Sequence, residues 1–363
     1  MVRLLFVSHS FPPENSPLES IGGMQRVAVE LADVLAKRDD LQYRQLVLRS
    51  AWRWHHIQCV PWLAATATRL HRIASQKQTD VVLFSSMVTG ALATLIRRRC
   101  SAANIQLAAI AHGRDVTLPG IYQTLQVRRT LKALDCVLPV SRATGLECEE
   151  RGMPPSRIQV IPNGVTISRY TVGPGSGGRV QKLLSVGRLV KRKGFAWFVD
   201  QVMPVLPSHV EYWIAGTGPE SETIRHAASA RGLEGRVHLL GRCSDEHLVK
   251  LYGESDLLIM PNLPVEGDME GFGVVMLEAG SSGTPAIAAD LEGIRDVITN
   301  DVNGRLVPSG DASAFKDAIL NYPTSAAARA KARKHTAANF SWPSVAELYV
   351  RYLRELHTGT LTD

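Results

Sequence analysis

The sequence predicts an α/β protein built from two Rossmann-like domains, and three observations carry that prediction. Short apolar runs alternate with segments of helical period along the whole chain, as in open parallel sheets flanked by helices. A Gly- and Pro-rich stretch at 173–178 interrupts the alternation near the middle, and that composition reads as a connector. The chain is 363 residues long. At roughly 150 residues per domain this suits two domains, each burying its own core.

The elements follow in order. In the first half, the runs at 4–9 (LLFVSH), 46–49 (LVLR), 81–86 (VVLFSS), 107–113 (LAAIAHG), 136–141 (CVLPVS) and 158–164 (IQVIPNG) read as strands. Residues 22–37 open on the glycine pair Gly22 and Gly23 and place Val27, Leu31, Val34 and Leu35 at helical spacing. Strand, glycine loop and helix make the first unit of a Rossmann-like domain. After the connector the strands resume at 182–188 (KLLSVGR), 211–216 (EYWIAG), 237–241 (VHLLG), 257–262 (LLIMPN) and 285–290 (PAIAAD). A last helix, 342–356, is apolar at Val345, Leu348, Tyr349, Tyr352, Leu353 and Leu356. The expected division is an N-terminal domain 1–172, a linker 173–179, a C-terminal domain 180–340, and a terminal helix 341–363 packing back on the N-terminal domain.

A hydrophobic content of 45% with 21% charged residues excludes disorder, collagen and small disulfide scaffolds. Five widely spaced cysteines without a C-x-x-C pair indicate neither a disulfide framework nor a structural zinc site, so a reducing, cytoplasmic setting is expected. The N-terminus lacks a secretory h-region and cleavage site. The longest uncharged stretch, 81–96, falls short of the roughly 20 residues of a spanning helix, so no membrane span is expected. The net charge of +7 is unevenly placed: residues 1–170 carry 21 Lys and Arg against 12 Asp and Glu, and the remainder 20 against 22. Such a basic half suits nucleic acid, an acidic polymer or anionic lipid. No DNA- or RNA-binding motif is present, and nucleic acid is not expected as a partner.

Two stretches carry chemistry. In EGFGVVMLEA, 270–279, Gly271 and Gly273 let the backbone approach a ligand, and a helix starting there directs the N–H groups of Gly273, Val274 and Val275 at an anion. Glu270 would reach hydroxyls of the group attached to that anion, and Glu278, one to two turns on, a pair of adjacent hydroxyls such as those of ribose. On spacing alone the two acids read equally well as a helix-dipole partner and a solvated helix position. In GRLVKRKG, 187–194, Arg188 and Lys193 follow a strand at the carboxyl edge where α/β sheets bind ligands, and they suit a diphosphate. A solvated basic loop is the alternative. Gly216-Thr217-Gly218 is half of a dinucleotide fingerprint, and Pro219-Glu220-Ser221 departs from it.

As an ordered set, GRLV…KG (187–194), IAGTGP (214–219), HLLGR (238–242), EGFGVVMLEA (270–279) and VIPNGV (160–165) resemble the retaining glycosyltransferases of family 4. Nearly the whole chain is covered. The resemblance implies the GT-B fold, with two Rossmann-like domains facing each other across a cleft, and a nucleoside-diphosphate sugar as donor substrate with no further cofactor. It implies that Glu270 contacts the donor sugar, Glu278 the ribose, and Arg188 with Lys193 the diphosphate. Gly22 and Gly23 match glycines that approach the donor phosphate, His112 matches an active-site histidine facing the sugar, and Arg242 opens the 242–244 loop where the base is usually held. Thr166 departs from the family's usual Asp after PNGV.

The mechanism so implied develops negative charge on a leaving diphosphate, neutralised by Arg188, Lys193 and helix N–H groups. The acceptor attacks from the face the diphosphate leaves. Glu266, Asp268 and Glu270 alternate as in a carboxylate metal site, but with the cations already in place no metal is expected. A phosphorylase- or epimerase-like enzyme on the same fold, and a basic nucleic-acid-binding protein, are the alternatives. The acceptor is expected to be a glycan or a lipid-linked sugar. Trp52, Trp54 and Trp62 mix with Arg53, Arg69 and Arg72 in 51–74, the composition of an interfacial segment, so peripheral association with an anionic inner membrane face is expected.

Overall fold

The computed structural model describes residues 1–14, 23–118, 120–174, 177 and 179–360. The chain divides into two compact units, Met1–Gly164 with Trp342–Asp363, and Val165–Ser341.

The first unit is built on β1 (Val2–Phe11), β2 (Leu41–Arg49), β3 (Val81–Phe84), β4 (Gln106–Ala111) and β5 (Cys136–Pro139). All pairings are parallel, in the order β2-β1-β3-β4-β5. Every residue of β3 and β5 is buried, because helices cover both faces of a parallel sheet. This explains their reading as unbroken apolar runs. Strand order reverses between β1 and β3, and the carboxyl ends there carry buried Ser8, His9, Ser10, Ser85 and Ser86. Such a reversal is where α/β sheets open a crevice.

The helix Gly23–Ala36 buries Val27, Leu31 and Leu35 and leaves Val34 half-exposed. The helix Trp342–Thr358 belongs to this unit. Trp342 Nε1 donates to Glu30, Arg354 pairs with Asp40, and Arg38 bridges Asp40 and Glu347 at 2.7 Å to each.

The second unit holds β6 (Lys182–Val186), β7 (Glu211–Ala215), β8 (Val237–Gly241), β9 (Leu257–Met260), β10 (Ala286–Ala289) and β11 (Gly304–Val307). The strands are again parallel, in the order β11-β10-β9-β6-β7-β8. This is the doubly wound dinucleotide-binding order, with its reversal between β6 and β9. Phe198 anchors the core, with ring centroids 4.8 Å from Tyr212 and 5.9 Å from Phe315. Among the described residues no helix is long and apolar enough to cross a membrane.

Three expectations are corrected. Residues 158–164 do not form a strand. They make a single bridge from Ile158 to Val137, with Gln159 N and Ile161 N donating to the carbonyls of Val137 and Pro139 at 3.1 and 3.0 Å, and pairing stops at Pro162, which has no N–H. Conversely, GRLV at 304–307 is the edge strand β11, half-exposed in its middle and too short to show a period. The boundary lies at Gly164/Val165 instead of the 173–179 stretch. Gly173 packs inside the second unit, where a Cβ would lie 1.8 Å from the Gly253 carbonyl oxygen; residues 175, 176 and 178 lie outside the described residues.

Candidate active site

The reversal between β6 and β9 places two loops side by side, the basic one after β6 and the acidic one after β9. The first turns through Lys191–Lys193 and ends at Gly194, with φ of 66°. A Cβ on Gly194 would fall 1.9 Å from the Pro261 carbonyl oxygen, so only glycine permits both the left-handed turn and the approach to the second loop. Leu263 N donates to the Arg192 carbonyl at 2.9 Å, tying the loops together through backbone.

The approach decides which basic side chains go in. Lys191 and Arg188 are exposed, while Arg192 and Lys193 are 8% and 6% exposed. Both buried cations meet Glu270, itself buried. Its Oε2 accepts from Lys193 Nζ at 2.5 Å, from Asn262 Nδ2 at 3.0 Å and from Arg192 Nη1. Arg192 Nε lies 3.2 Å from Asp268 Oδ1. Glu270 N donates to Glu292 Oε2, and Gly293 N donates to the Glu270 carbonyl at 3.1 Å.

Burial works against the Glu270 charge, yet Lys193 and Arg192 overcome it and hold the carboxyl at about 2. Burial lowers Lys193 from its usual value; Glu270 opposes this, and the neighbouring charges of Arg192 and Arg188 add to it. Lys193 is therefore a cation held in place by one carboxylate and crowded by two guanidinium groups. An entering anion relieves that crowding.

Glu278 is neither solvated nor on an open face. It is buried in the helix Val274–Ser281 and accepts from Tyr252 OH at 2.6 Å. The solvated-position reading of this residue is thereby overturned, as is the helix-dipole reading of Glu270. The helix begins after Gly273, whose φ of 90° no β-branched residue would hold, and its first turn contains Val274 and Val275 without a side-chain cap. Their N–H groups belong to the unsatisfied first turn of the helix. Arg242 follows β8 and is exposed.

In the first unit, His112 follows β4. Its Nε2 lies 2.9 Å from the Ser85 carbonyl oxygen; a carbonyl only accepts, so Nε2 carries a hydrogen. Asp115, buried, accepts from His112 N at 2.8 Å and from Met87 N at 3.0 Å. One carboxylate thus fixes the ends of both β3 and β4. Gly23 opens its helix with no atom within 4 Å of a would-be Cβ; Gly22 lies outside the described residues.

Arg192, Asn262, Glu292 and Asp115 were not singled out in the sequence. Arg192 reads there as one of three successive basic residues, and Glu292, which adopts a positive φ of 46°, belongs to no motif. Of the acidic triplet, Glu266 is exposed, while Asp268 and Glu270 are bound by Arg192. Among the described residues no three His, Cys, Asp or Glu side chains converge as metal ligands.

A family model described as Glycosyl transferases group 1 matches residues 180–323, and one described as Glycosyltransferase Family 4 matches residues 21–169. The amylovoran biosynthesis glycosyltransferase AmsK of Erwinia amylovora is 27% identical over 286 residues, 75% of this chain and 70% of that protein. The GDP-mannose-dependent alpha-(1-6)-phosphatidylinositol monomannoside mannosyltransferase of Mycolicibacterium smegmatis is 27% identical over 93% of this chain and 95% of its own length. Among solved structures, Anabaena HepE in complex with UDP is similar with a TM-score of 0.74 at 18% identity, covering 97% of this chain and all of that one.

Proposed function

The chain belongs to glycosyltransferase family 4 and has the GT-B fold, and from that premise we propose that it moves a sugar from a nucleoside-diphosphate donor to an acceptor hydroxyl, with retention at the anomeric carbon and without a metal ion. The observation that supports this most is the buried Glu270 carboxylate with Lys193 and Arg192 on it, next to exposed Arg188 and the uncapped start of the helix Val274–Ser281.

In this reading the diphosphate is gripped by Arg188, Lys193 and the N–H groups of Gly273, Val274 and Val275. Glu278 takes the ribose hydroxyls, Glu270 the sugar, and Arg242 borders the base. As the bond from the anomeric carbon to the diphosphate oxygen breaks, charge develops where cations already stand. The acceptor hydroxyl attacks from the same face, its proton passing to the departing phosphate oxygen, so no carboxylate nucleophile of the glycosidase type is needed. In the same reading His112 is assigned to the donor sugar.

Relatives and neighbours whose names carry GDP-mannose and UDP support a nucleotide donor and differ in its base. Titration of UDP, GDP and ADP followed by melting temperature tests the reading. A nucleotide at ~100 times its Kd adds ~2.7 kcal/mol to the native state, and one of the three is expected to do so; no shift with any of them rejects the proposal.

The acceptor is proposed to be lipid- or polysaccharide-linked at the cytoplasmic face of a membrane, with the helix Trp52–Ser75 as the surface that reaches it. Trp54, Ile57 and Val60 are exposed at 51%, 67% and 71%. Trp62 packs inward against the core, and the side chains of Trp52 and Arg53 lie outside the described residues. Exposed Arg69 and Arg72, with Arg98 and Arg99, complement an anionic leaflet.

A further inference from the structure

One oxygen of Glu270 accepts from three donors at once, Arg192, Lys193 and Asn262. If Lys193 is to meet a diphosphate it must give up or share Glu270, and a buried carboxylate left without a counter-charge beside an entering anion is costly. The structure holds a second cation ready. Arg192 is buried, contacts Glu270 through Nη1, and through Nε stands 3.2 Å from Asp268 in the same loop. Its fork spans two carboxylates, a geometry that a lysine cannot reproduce.

We propose that Arg192 is a positioning residue that keeps Glu270 ionised and in place while Lys193 is drawn from it to the donor diphosphate. The proposal rests on the donor reading of this site. It assigns the two adjacent cations different tasks: Lys193 changes partner during binding, and Arg192 stays. The groups facing Glu270 are Arg192 and Lys193 from the loop after β6, Asn262 and Asp268 from the loop after β9, and Glu292 from the turn after β10. Arg188 acts on it through Lys193. With Arg192 removed, Glu270 has to take up a proton as Lys193 leaves it, so binding of the anion becomes linked to protonation.

The test is calorimetric titration of the full chain with whichever of UDP, GDP or ADP binds, from about pH 6 to about pH 8.5, comparing wild type, Arg192→Met and Arg192→Met/Glu270→Gln. Wild-type affinity is expected to follow only the titration of the nucleotide's own phosphate. Arg192→Met is expected to lose up to about a further tenfold per pH unit wherever Glu270 is ionised in the free variant and protonated in the complex, with proton uptake visible as a dependence of the heat on buffer ionisation. Glu270→Gln in the same background is expected to remove that slope. Should Arg192→Met fail to fold, Arg192→Lys, which keeps charge and loses the fork, is expected to show a weaker form of the same slope. An unchanged pH profile in the folded variant overturns the proposal, as does an affinity loss equal at every pH and indifferent to Glu270→Gln. Wild type binding none of the three nucleotides overturns the donor reading and this inference together.

Discussion

At the scale of single residues, burial separates neighbours that look alike in the sequence. Lys191, Arg192 and Lys193 are consecutive basic positions, yet one is solvated and two are inside. What divides them is Gly194, whose turn presses this loop onto Pro261, a contact 67 positions away in the chain and invisible to local pattern. Lys193, Glu270 and Glu278 were legible because family spacing marks them; Arg192, Glu292 and Asp115 were not, since each acts through a tertiary contact with no spacing of its own. Glu270 sets a pH dependence. Its native value lies at about 2 against an ordinary 4.5, so the carboxylate stabilises the fold fully above about pH 4.5 and the contribution is lost as pH falls from there toward 2. By linkage this amounts to ~3 kcal/mol. Urea unfolding of wild type between pH 6 and pH 3 is expected to show ~2 kcal/mol of that loss, superimposed on the titration of other acids. Glu270→Gln is expected to start about that much less stable at pH 6 and to have a correspondingly shallower slope; parallel curves for the two proteins would refute the assignment.

At the scale of elements, ten of the strands, β1 to β10, follow from short apolar runs bounded by small or polar residues, since parallel strands covered on both faces favour apolar side chains. The failures share a cause. β11 is a half-exposed edge whose residues need not be apolar, and the 158–164 run is apolar because it lies along β5 without joining the ladder. Arg329, in the helix Ala326–Phe340, shows the reverse case of a charge serving structure. It is wholly buried, and its guanidinium donates to the carbonyls of Ser255 and Gly253 at 2.8 and 2.7 Å and to Thr284 Oγ1 at 3.1 Å. It closes the end of the helix Asp245–Glu254, which carries Tyr252 and through it Glu278. Arg329→Met leaves the Gly253 carbonyl without this donor and the Ser255 carbonyl with only a long contact from Thr284 Oγ1 at 3.4 Å, and a loss of ~3 kcal/mol is expected, read from the urea midpoint. A change below ~1 kcal/mol would mean that water replaces the guanidinium without cost.

At the scale of the whole molecule, charge and chemistry are divided between the units. The basic excess lies in residues 1–170, while Glu270, Glu278 and the cations proposed to hold the diphosphate lie in the second unit. In the proposed reading the basic half faces the acceptor's membrane, and the exposed Trp54, Ile57 and Val60 are its apolar surface. Co-sedimentation with vesicles is expected to require anionic lipid, to weaken with salt over the range set by a Debye length of ~10 Å at 0.1 M, and to fall in a Trp54→Ser/Ile57→Ser variant; binding indifferent to lipid charge would remove the membrane assignment. The donor half of the account is tested most directly at Arg188, because that side chain is exposed. Titration of the preferred nucleoside diphosphate into Arg188→Ala is predicted to show an affinity at least ~10-fold below wild type, about the 1.5–3 kcal/mol of a charge-assisted hydrogen bond, at an unchanged melting temperature of the free protein. Equal affinity in the two proteins would contradict it.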